Sequence, residues 1–422
     1  MQLLDHQIEV LHDTNDMHRV AYYLDMGLGK TYVGAEKMVR LGAKVNLVIC
    51  QKSKIDDWID HFRQHYALTT IWNLTDKNEF RLFFDFGEHN TDTKVIGVVN
   101  YELAYRRPQL KKLHDFTLML DESSMIQNEN AKRSRFILAL NPRNVILLSG
   151  TPTSGKYENL WSQCRLLGWN IPKKMYWKNY IDTEVLTSEG YPITIVKGYK
   201  NVDRLKRKLR EAGAVFMKTD EVISLPEQIE QTIRIPTTPE YRKFRKDKII
   251  TVDGVELVGD TTLTKMLYER MLCGQYNREK LEGFSDLLES TEDRLIVFYN
   301  FNTELEALCN IVKGVNRPYS VINGKEKDLD AYNYSSDSVT FAQYQAGAMG
   351  HNLQLANKIV YFTPPLSSEL FEQSKKRTHR IGQKRTCFYY YLTCRNSIEE
   401  KIYKTLAMRR DYTNALFEEE EL

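Results

Sequence analysis

The sequence predicts an α/β protein with two parallel sheets and a helical, irregular insertion between them. Short apolar runs of strand length alternate with helical runs over residues 20–148 and again over 295–417. This alternation is typical of parallel sheets covered by helices on both faces. Residues 169–291 interrupt it and contain several prolines. Because 422 residues suffice for two or three domains, we expect domains at 1–168 and 292–422 joined by a linker and insertion at 169–291.

Composition narrows the class of protein. Lys plus Arg number 59 against 56 Asp plus Glu, so any nucleic-acid binding depends on local patches. The six cysteines form no C-x-x-C pair and lie mostly in apolar runs, which predicts reduced core cysteines without a zinc site or disulfides. The start of the chain is polar and no apolar stretch is long enough to span a bilayer. We therefore expect a soluble intracellular protein that does not contact membranes.

In the first series, apolar runs predict strands at 20–24, 45–50, 94–99, 117–120 and 144–148. A helical pattern covers 30–41, and Ser53 is the predicted N-cap of a helix with Ile55, Trp58, Ile59 and Phe62 on one face. Ligands of such sheets collect at the carboxyl ends of the strands. The glycine turn at 24–31, Asp121-Glu122 and Ser149-Gly150-Thr151 all follow strands, so we expect them to share one cleft.

Residues 24–31 read Leu-Asp-Met-Gly-Leu-Gly-Lys-Thr, between a strand and a helix. Such a turn bares backbone N–H groups at a helix N-terminus and favours a phosphate chain. Lys30 would reach the β- and γ-phosphates of a nucleotide, and Thr31 would hold magnesium on them. The loop residues expected to bind the nucleotide are Met26, Gly27, Leu28 and Gly29. The strict signature has glycine where this chain has Leu24, so the pattern alone also fits a glycine-rich helix start.

The Asp121-Glu122 pair has the chemistry of a nucleotide hydrolase. An aspartate at a strand end can hold magnesium, and an adjacent carboxylate can orient and deprotonate the attacking water. The alternative is a solvated acidic pair; downstream of a phosphate loop we favour Asp121 as metal ligand and Glu122 as base. Gln7 is a candidate reader of the adenine edge, although spacing alone favours an exposed amide at a helix start.

In the second half, residues 263–288 look helical, while Pro226, Pro236 and Pro239 argue against long regular elements around them. Further strands are predicted at 295–299, 319–322, 339–342, 359–362 and 387–393, and a closing helix at 397–417. A helix starting near Ser367 or Ser368 would carry Arg377 and Arg380 on one face, because they are three residues apart. Two such arginines suit an anionic ligand, although spacing alone favours a solvated basic helix.

Taken in order, these motifs resemble the Swi/Snf-type branch of helicase superfamily two, the DNA-translocating ATPases of chromatin remodellers and their bacterial and viral relatives. The resemblance covers roughly residues 3–417. Its most specific part is 373–383, because residues 377–383 match the R-x-H-R-I-G-Q run. The other matching segments are the phosphate loop at 25–31, S-G-T-P at 149–152, K-T-D at 218–220 with its trailing Leu225-Pro226, and the G-x-x-G-x-N-L element at 347–353.

The resemblance implies two RecA-like lobes with ATP and Mg²⁺ between them. Lobe one would supply Lys30, Thr31, Asp121 and Glu122, and lobe two would supply Arg377 and Arg380 to the γ-phosphate. Gly350 and Gln373 are further expected cofactor-binding residues. The implied partner is duplex DNA, along which the motor translocates without efficient strand separation, remodelling or displacing bound proteins. The expected contacts with the DNA backbone are Lys52, Ser53, Asn100, Tyr101, Gly347 and Asn352.

Three positions depart from the family pattern. Ser124 replaces the histidine that links hydrolysis to nucleic-acid contact, Gln345 stands at a usual arginine and Ala348 at a usual glycine. These changes bear on coupling rather than on hydrolysis. Two alternatives therefore stay open, a strand-separating DNA or RNA helicase and an ATP-binding scaffold that has lost coupling. No accessory motif is visible, which is compatible with a minimal bacterial or phage motor in the cytoplasm, or a nuclear one if the source is eukaryotic.

Overall fold

The computed structural model describes residues 2–66, 69–89, 94–188, 191–222, 224–347 and 353–417. The chain folds into two compact units, one of Met1–Val222 together with Asp411–Leu422 and one of Ile223–Arg410. We name them unit one and unit two. Each is organised around a parallel sheet flanked by helices.

Unit one contains a seven-stranded sheet and a separate hairpin. Its strands are β1 (Arg19–Leu24), β2 (Val45–Cys50), β3 (Thr69–Asn73), β4 (Lys94–Asn100), β5 (Thr117–Asp121), β6 (Asn144–Leu148), β7 (Ile181–Ser188), β8 (Tyr191–Tyr199) and β9 (Ala214–Met217). The sheet order is β3-β4-β2-β5-β6-β1-β9 with every neighbouring pair parallel. The strands β7 and β8 form the antiparallel hairpin.

The helices of unit one are α1 (Asp5–Asp13), α2 (Lys30–Leu41), α3 (Ile55–His65), α4 (Lys77–His89), α5 (Tyr101–Ala104), α6 (Lys132–Leu138), α7 (Trp161–Leu166), α8 (Lys173–Tyr180), α9 (Val202–Glu211) and α10 (Thr219–Val222). Short 3₁₀ turns lie at Lys52–Lys54, Pro108–Lys112, Ser123–Ile126 and Tyr157–Leu160. The central strands are buried almost throughout because helices cover both faces. The five strands predicted in this half are therefore confirmed, within a residue or two at their ends.

Unit two contains a six-stranded parallel sheet and a second hairpin. Its strands are β10 (Gln228–Ile235), β11 (Ile249–Val252), β12 (Val255–Val258), β13 (Leu295–Tyr299), β14 (Tyr319–Ile322), β15 (Val339–Gln343), β16 (Lys358–Tyr361) and β17 (Cys387–Cys394). The sheet order is β10-β17-β16-β13-β15-β14, and β11 pairs with β12 antiparallel. Its helices are α11 (Pro239–Asp247), α12 (Thr262–Cys273), α13 (Arg278–Glu289), α14 (Asn302–Gly314), α15 (Asp330–Tyr334), α16 (Tyr344–Gly347), α17 (Ser368–Lys375) and α18 (Ile398–Phe417), of which the residues from Asp411 onward are grouped with unit one.

The two parallel sheets with their helices are RecA-like lobes, and the predicted fold class is confirmed. The region 169–291 contributes to both sheets, because β9 is the last strand of the first sheet and β10 an edge strand of the second. The division between the units thus falls at Val222 and Ile223, inside the stretch that the sequence assigned to the linker and insertion.

The prediction that prolines exclude long regular elements was wrong. Pro226 and Pro236 lie just outside β10, which runs for eight residues between them. Pro239 is the first residue of α11, where its fixed φ suits the helix and its missing N–H has no partner to lose. Prolines here mark the ends of elements without shortening them.

Two predictions about helices also need correction. The single helix expected at 263–288 is two helices, α12 and α13, separated at Gly274. A Cβ built on Gly274 would lie 2.4 Å from Glu304 Oε1, so the close approach of that carboxylate requires glycine. Ser53 is not an N-cap, since α3 starts after Lys54. A 3₁₀ turn in which Lys54 N donates to Gln51 O at 2.9 Å leads into α3 instead.

All six cysteines are unpaired, and five of them are buried. Among the helices in the described ranges, none combines the length and the apolarity needed to cross a membrane.

Candidate active site

The phosphate loop connects β1 to α2, as the sequence predicted. Gly29, the N-cap of α2, has φ 76°, a left-handed conformation that glycine adopts without steric cost. Gln7 of α1 packs against it, because a Cβ built on Gly29 would lie 2.2 Å from Gln7 Nε2. The turn thus brings its backbone N–H groups to the N-terminus of a helix of 12 residues, an arrangement that favours phosphate.

Gln7 supports this loop. The side chain is only 4% exposed, so the alternative of an exposed amide is wrong. Its Nε2 donates to Leu28 O at 3.1 Å and its Oε1 accepts from Leu4 N at 3.0 Å. Both ends of the amide are therefore bonded to backbone, and a role in reading adenine stays a prediction.

Lys30 folds onto the loop. Its ammonium donates to the carbonyl oxygens of Leu24 at 2.8 Å and Asp25 at 3.2 Å. Gly150 faces the same ammonium, since a Cβ built there would lie 3.3 Å from Lys30 Nζ. The Thr219 hydroxyl donates to Asp25 Oδ2 at 3.0 Å, which ties the loop to the segment after β9. The phosphate loop, the S-G-T-P segment and the K-T-D segment are thus brought together within unit one.

The Asp121-Glu122 pair is held by hydrogen bonds from other elements. Trp58 Nε1 of α3 donates to Asp121 Oδ2 at 2.8 Å. The hydroxyls of Ser124 and Ser149 donate to Glu122 Oε1 at 2.9 and 2.6 Å. Burial raises the pKa of Asp121, and the Trp58 hydrogen bond and the Lys30 charge partly offset this. The alternative of a solvated acidic pair therefore does not describe these residues.

Glu122 has an uncommon backbone conformation. Its φ of 57° and ψ of 64° lie in the left-handed region, which residues other than glycine rarely adopt. The Tyr101 hydroxyl donates to the carbonyl oxygens of Asp121 at 3.0 Å and Glu122 at 3.2 Å. Tyr101 is fully buried, so the expectation that its side chain contacts nucleic acid needs correction. Its hydroxyl is bonded to the acidic segment instead.

The residues present fit a magnesium ion. Asp121 and Thr31 offer a carboxylate and a hydroxyl, the hard oxygen ligands that Mg²⁺ prefers, and a cation favours the ionised form of a carboxyl whose pKa burial raises. A second cluster does not fit a metal. The ligand atoms of Cys273, Cys394 and Glu399 lie within 4.8 Å of one another. However, Lys280 Nζ already lies 2.6 Å from Glu399 Oε1, with both side chains fully buried.

In unit two, α17 ends at Lys375. Arg377 and Arg380 lie in the turns beyond it, so the prediction that they share a helical face was wrong. Other residues of the same motif hold these turns: His379 Nε2 bonds to Pro226 O at 2.8 Å, and Gln383 Nε2 donates to Ala356 O at 2.9 Å. These bonds to distant backbone replace further turns of helix. Burial lowers the pKa of Arg380.

The remaining residues predicted in unit two are only partly described. Gln373 is buried and donates to Glu369 Oε1 at 3.3 Å. Gly347 ends α16, and Gly350 and Asn352 lie outside the described residues. The predicted start of α17 is confirmed, since the Ser367 side chain accepts from Leu370 N.

Residues 20–281 match the SNF2-related domain, and residues 279–382 match the helicase conserved C-terminal domain. The chain belongs to the SNF2-related family. Membership agrees with the resemblance drawn from the motifs and places the chain in the Swi/Snf-type branch of helicase superfamily two.

Several curated relatives are similar over most of this SNF2-related chain. The SWI/SNF-related matrix-associated actin-dependent regulator of chromatin subfamily A member 1 of Mus musculus is 24% identical over 90% of this chain and 39% of its own length. The ISWI chromatin-remodeling complex ATPase ISW1 of Saccharomyces cerevisiae is 24% identical over 95% of this chain and 39% of its own length. The DNA repair and recombination protein RAD54-like of Gallus gallus is 21% identical over 77% of this chain and 52% of its own length. The chain thus spans about two fifths to one half of the length of these relatives.

One solved structure also aligns with the SNF2-related chain. It is the Sulfolobus solfataricus SWI2/SNF2 ATPase core in complex with dsDNA, with a TM-score of 0.46 and 19% identity over 98% of this chain and 92% of that chain.

A polar groove of about 790 Å³ lies in the SNF2-related domain. It is lined by Lys52, Ile55, Asp56, Asn73, Thr75, Asn100, Glu102, Leu103 and Arg106. Lys52 and Ser53 are exposed in the turn after β2, and Asn100 ends β4. The formal charges of the two cationic and two acidic side chains in the lining cancel, so the groove is polar without being basic. The structure thus brings together Lys52 and Asn100 among the predicted nucleic-acid contacts.

Sequence reasoning missed two residues that organise this SNF2-related site. Trp58 was assigned only to the apolar face of α3, yet its indole N–H reaches Asp121. Tyr101 was predicted only as a contact with nucleic acid, yet its buried hydroxyl bonds to the acidic segment. The residue type of each indicated a hydrogen bond, because a buried tryptophan or tyrosine usually finds a hydrogen-bond partner for its polar atom. Nothing in the spacing showed which partner that would be.

Proposed function

We propose that this chain is an ATP-driven motor that translocates along duplex DNA and remodels or displaces proteins bound there. The observation that carries the proposal is the acidic pair, where the Lys30 charge acts on Asp121 and Ser149 bonds to Glu122. Tyr101, which bonds to the carbonyl oxygens of this pair, directly follows Asn100 of the polar groove. A hydrolytic centre that is linked through one residue to a groove for a polymer backbone suits a motor. Membership of the SNF2-related family supports ATP use, and the names of the relatives, which concern chromatin, DNA repair and recombination, support DNA as the polymer.

In this proposal the chain's own residues have distinct tasks. The loop amides and Lys30 bind the phosphates, and Thr31 and Asp121 would hold Mg²⁺. When bound, the metal ion neutralises phosphate charge and helps to orient the nucleotide. Glu122 orients the attacking water and accepts its proton. The arginines of unit two, Arg377 and Arg380, stabilise charge that develops on the transferred phosphoryl group.

The decisive experiment is an ATPase assay with no nucleic acid and with saturating duplex DNA, single-stranded DNA or RNA. We expect duplex DNA to give the largest increase in kcat. A triplex-displacement assay then reports movement along the duplex, and a forked-substrate assay reports strand separation. Efficient unwinding of forks would favour the strand-separating helicase. ATP binding without stimulation by any nucleic acid would favour the scaffold and contradict the motor.

The proposed contacts are with phosphates, so DNA affinity should depend strongly on salt and little on sequence. Binding driven by release of counterions weakens linearly in log–log form as salt rises, and phosphate contacts carry no base information. A salt series on several unrelated duplexes measures both properties. Strong preference for one sequence at high salt would contradict a general translocase.

A further inference from the structure

The polar groove and the acidic pair are connected through consecutive residues. Asn100 lines the groove at the end of β4, and Tyr101 is the next residue and the first of α5. Glu102 and Leu103 of the same short helix also line the groove. Tyr101 thus lies between groove-lining residues at the start of this short helix, so its backbone is directly bonded to positions that a polymer in the groove would contact.

The Tyr101 hydroxyl contacts the backbone on both sides of Glu122. The carbonyl of Asp121 belongs to the peptide group before Glu122, and the carbonyl of Glu122 to the peptide group after it. The Tyr101 hydroxyl bonds to both, at 3.0 and 3.2 Å, and so bridges the two peptide groups whose relative rotation defines φ and ψ of Glu122. A left-handed conformation of a non-glycine residue persists only where its surroundings fix it, and this bridge is one such restraint.

Ser124, at the position of the family's coupling histidine, contacts Glu122 differently from Tyr101. Ser124 stands where the resembling family carries histidine, and it is 4% exposed. Its hydroxyl donates to Glu122 Oε1 at 2.9 Å. Ser124 therefore contacts the base itself, whereas Tyr101 contacts the base through its backbone and adjoins the groove.

We propose that Tyr101 is a positioning residue that transmits occupation of the polar groove to Glu122 through the bridge between its hydroxyl and the two carbonyl oxygens. This inference rests on the proposed function, because it assigns a task only if nucleic acid in the groove stimulates hydrolysis. In the relay, nucleic acid shifts α5, the hydroxyl shifts with it, and the Glu122 carboxylate takes its productive orientation.

The test is Tyr101→Phe, which keeps the ring and removes the hydroxyl. ATP turnover is measured without DNA and at saturating duplex DNA, together with the KM for ATP and the Kd for DNA. Losing one buried hydrogen bond to a charge-bearing segment should lower the ratio of stimulated to basal kcat by about tenfold. The KM and the Kd should stay within about twofold of the wild type, since the hydroxyl touches neither ligand.

The matched control is Tyr176→Phe. Tyr176 is also fully buried in unit one, and its hydroxyl also donates to a backbone carbonyl, that of Tyr157, at 2.6 Å. It lines neither the groove nor the acidic pair, so its removal tests the loss of a buried tyrosine hydroxyl as such. The control should keep the stimulation ratio while lowering the melting temperature as much as Tyr101→Phe does.

The possible outcomes separate this inference from the proposed function. If the wild type is stimulated and Tyr101→Phe keeps the ratio, Tyr101 is only structural and the relay is overturned, even when both rates fall together. If Tyr176→Phe loses the ratio equally, the effect is a general loss of stability and the relay is again overturned. If the wild type shows no stimulation, the proposed function fails first, and the relay fails with it because nothing remains to transmit.

Discussion

Unit one and unit two hold their predicted reactive groups in different ways. In unit one, Trp58, Ser149 and Tyr101 come from separate elements and bond directly to Asp121 and Glu122. In unit two, His379 and Gln383 bond to distant backbone and so fix the turns that carry the two arginines. We infer that hydrolytic geometry in unit one depends on a network of side chains. In unit two, by contrast, bonds from neighbouring side chains to backbone hold the segment in which the two proposed arginines lie.

The largest effect is expected from Lys30→Ala, which alters unit one at the proposed nucleotide site. Lys30→Ala removes the ammonium that bonds to the loop and faces Gly150, so phosphate binding and hydrolysis should both be lost to background. The fold should survive because Lys30 is not a core residue. Lys44→Ala, at an exposed lysine beyond the same helix, serves as the control. Circular dichroism and ATP turnover measure the two properties, and turnover near wild type would contradict the loop assignment.

Glu122→Gln separates binding from chemistry within the same network. The amide keeps the size of the side chain but cannot accept the proton of water, so ATP should bind and remain unhydrolysed. Nucleotide affinity from a fluorescent analogue and single-turnover hydrolysis measure the two steps. Hydrolysis at the wild-type rate would show that another residue is the base.

The next effect concerns the arginines of unit two. If Arg380 acts on transition-state charge, Arg380→Ala should lower DNA-stimulated turnover by about 10³-fold with ATP affinity changed only a few-fold. Arg377→Ala is measured beside it. Arg385→Ala is the control, because Arg385 is exposed and pairs with Asp293 at 2.9 Å. A solvated basic surface predicts the opposite result, with weaker DNA binding and unchanged turnover at saturating DNA.

The sequence predicted the central strands well for a physical reason. Runs such as 45–50 and 144–148 are apolar and lie inside a sheet covered on both faces, so burial alone marks them. The strand β3 was missed because it is an edge strand, half-buried along its whole length, with two threonines and an asparagine. The strands β9 and β10 were missed because β9 is short and prolines flank β10.

The candidate site was predictable where chemistry is local and not where it depends on tertiary contacts. The phosphate loop and the Asp121-Glu122 pair follow from residue order alone. The end of α17 does not, because bonds from His379 to Pro226 and from Gln383 to Ala356 link positions far apart in sequence. Trp58 and Tyr101 belong to the same class, since their partners lie 63 and 20 residues away.

A smaller effect tests the stability of unit two. Lys280 and Glu399 form a fully buried ion pair that joins α13 to α18. Glu399→Gln leaves the ammonium without a charged partner, and the free energy of unfolding of unit two should fall by about 3 kcal/mol. Arg385→Gln, which breaks a half-exposed pair, should cost less than about 1 kcal/mol. Denaturant unfolding of the whole chain measures the loss of unfolding free energy in each variant. Equal losses in Glu399→Gln and Arg385→Gln would contradict the importance of burial for the Lys280–Glu399 pair.

The smallest expected effect concerns the packing of α3 beside the phosphate loop. The His61 ring lies edge-on to the rings of Tyr32, Trp58 and His65. The distances between ring centroids are 4.9, 6.0 and 4.9 Å. Burial, with a smaller contribution from His65, lowers the pKa of His61 to about 4. The folded state therefore keeps His61 neutral. As the pH falls through about 6.5, where unfolded histidine takes up its proton, the unfolded state gains protons that the folded state does not bind.

The free energy of unfolding should accordingly decline as the pH falls from about 6.5 toward 4, with no contribution from His61 above that range. His61→Phe keeps an aromatic ring in place and removes the titration. Between about pH 7 and pH 5 the variant should lose about 1 kcal/mol less stability than the wild type. His12→Asn, at an exposed histidine of α1, is the control. Equal declines in the wild type and His61→Phe would show that the packing of α3 against the loop tolerates a charged His61, and that unit one is less tightly closed around Trp58 than its hydrogen bond to Asp121 indicates.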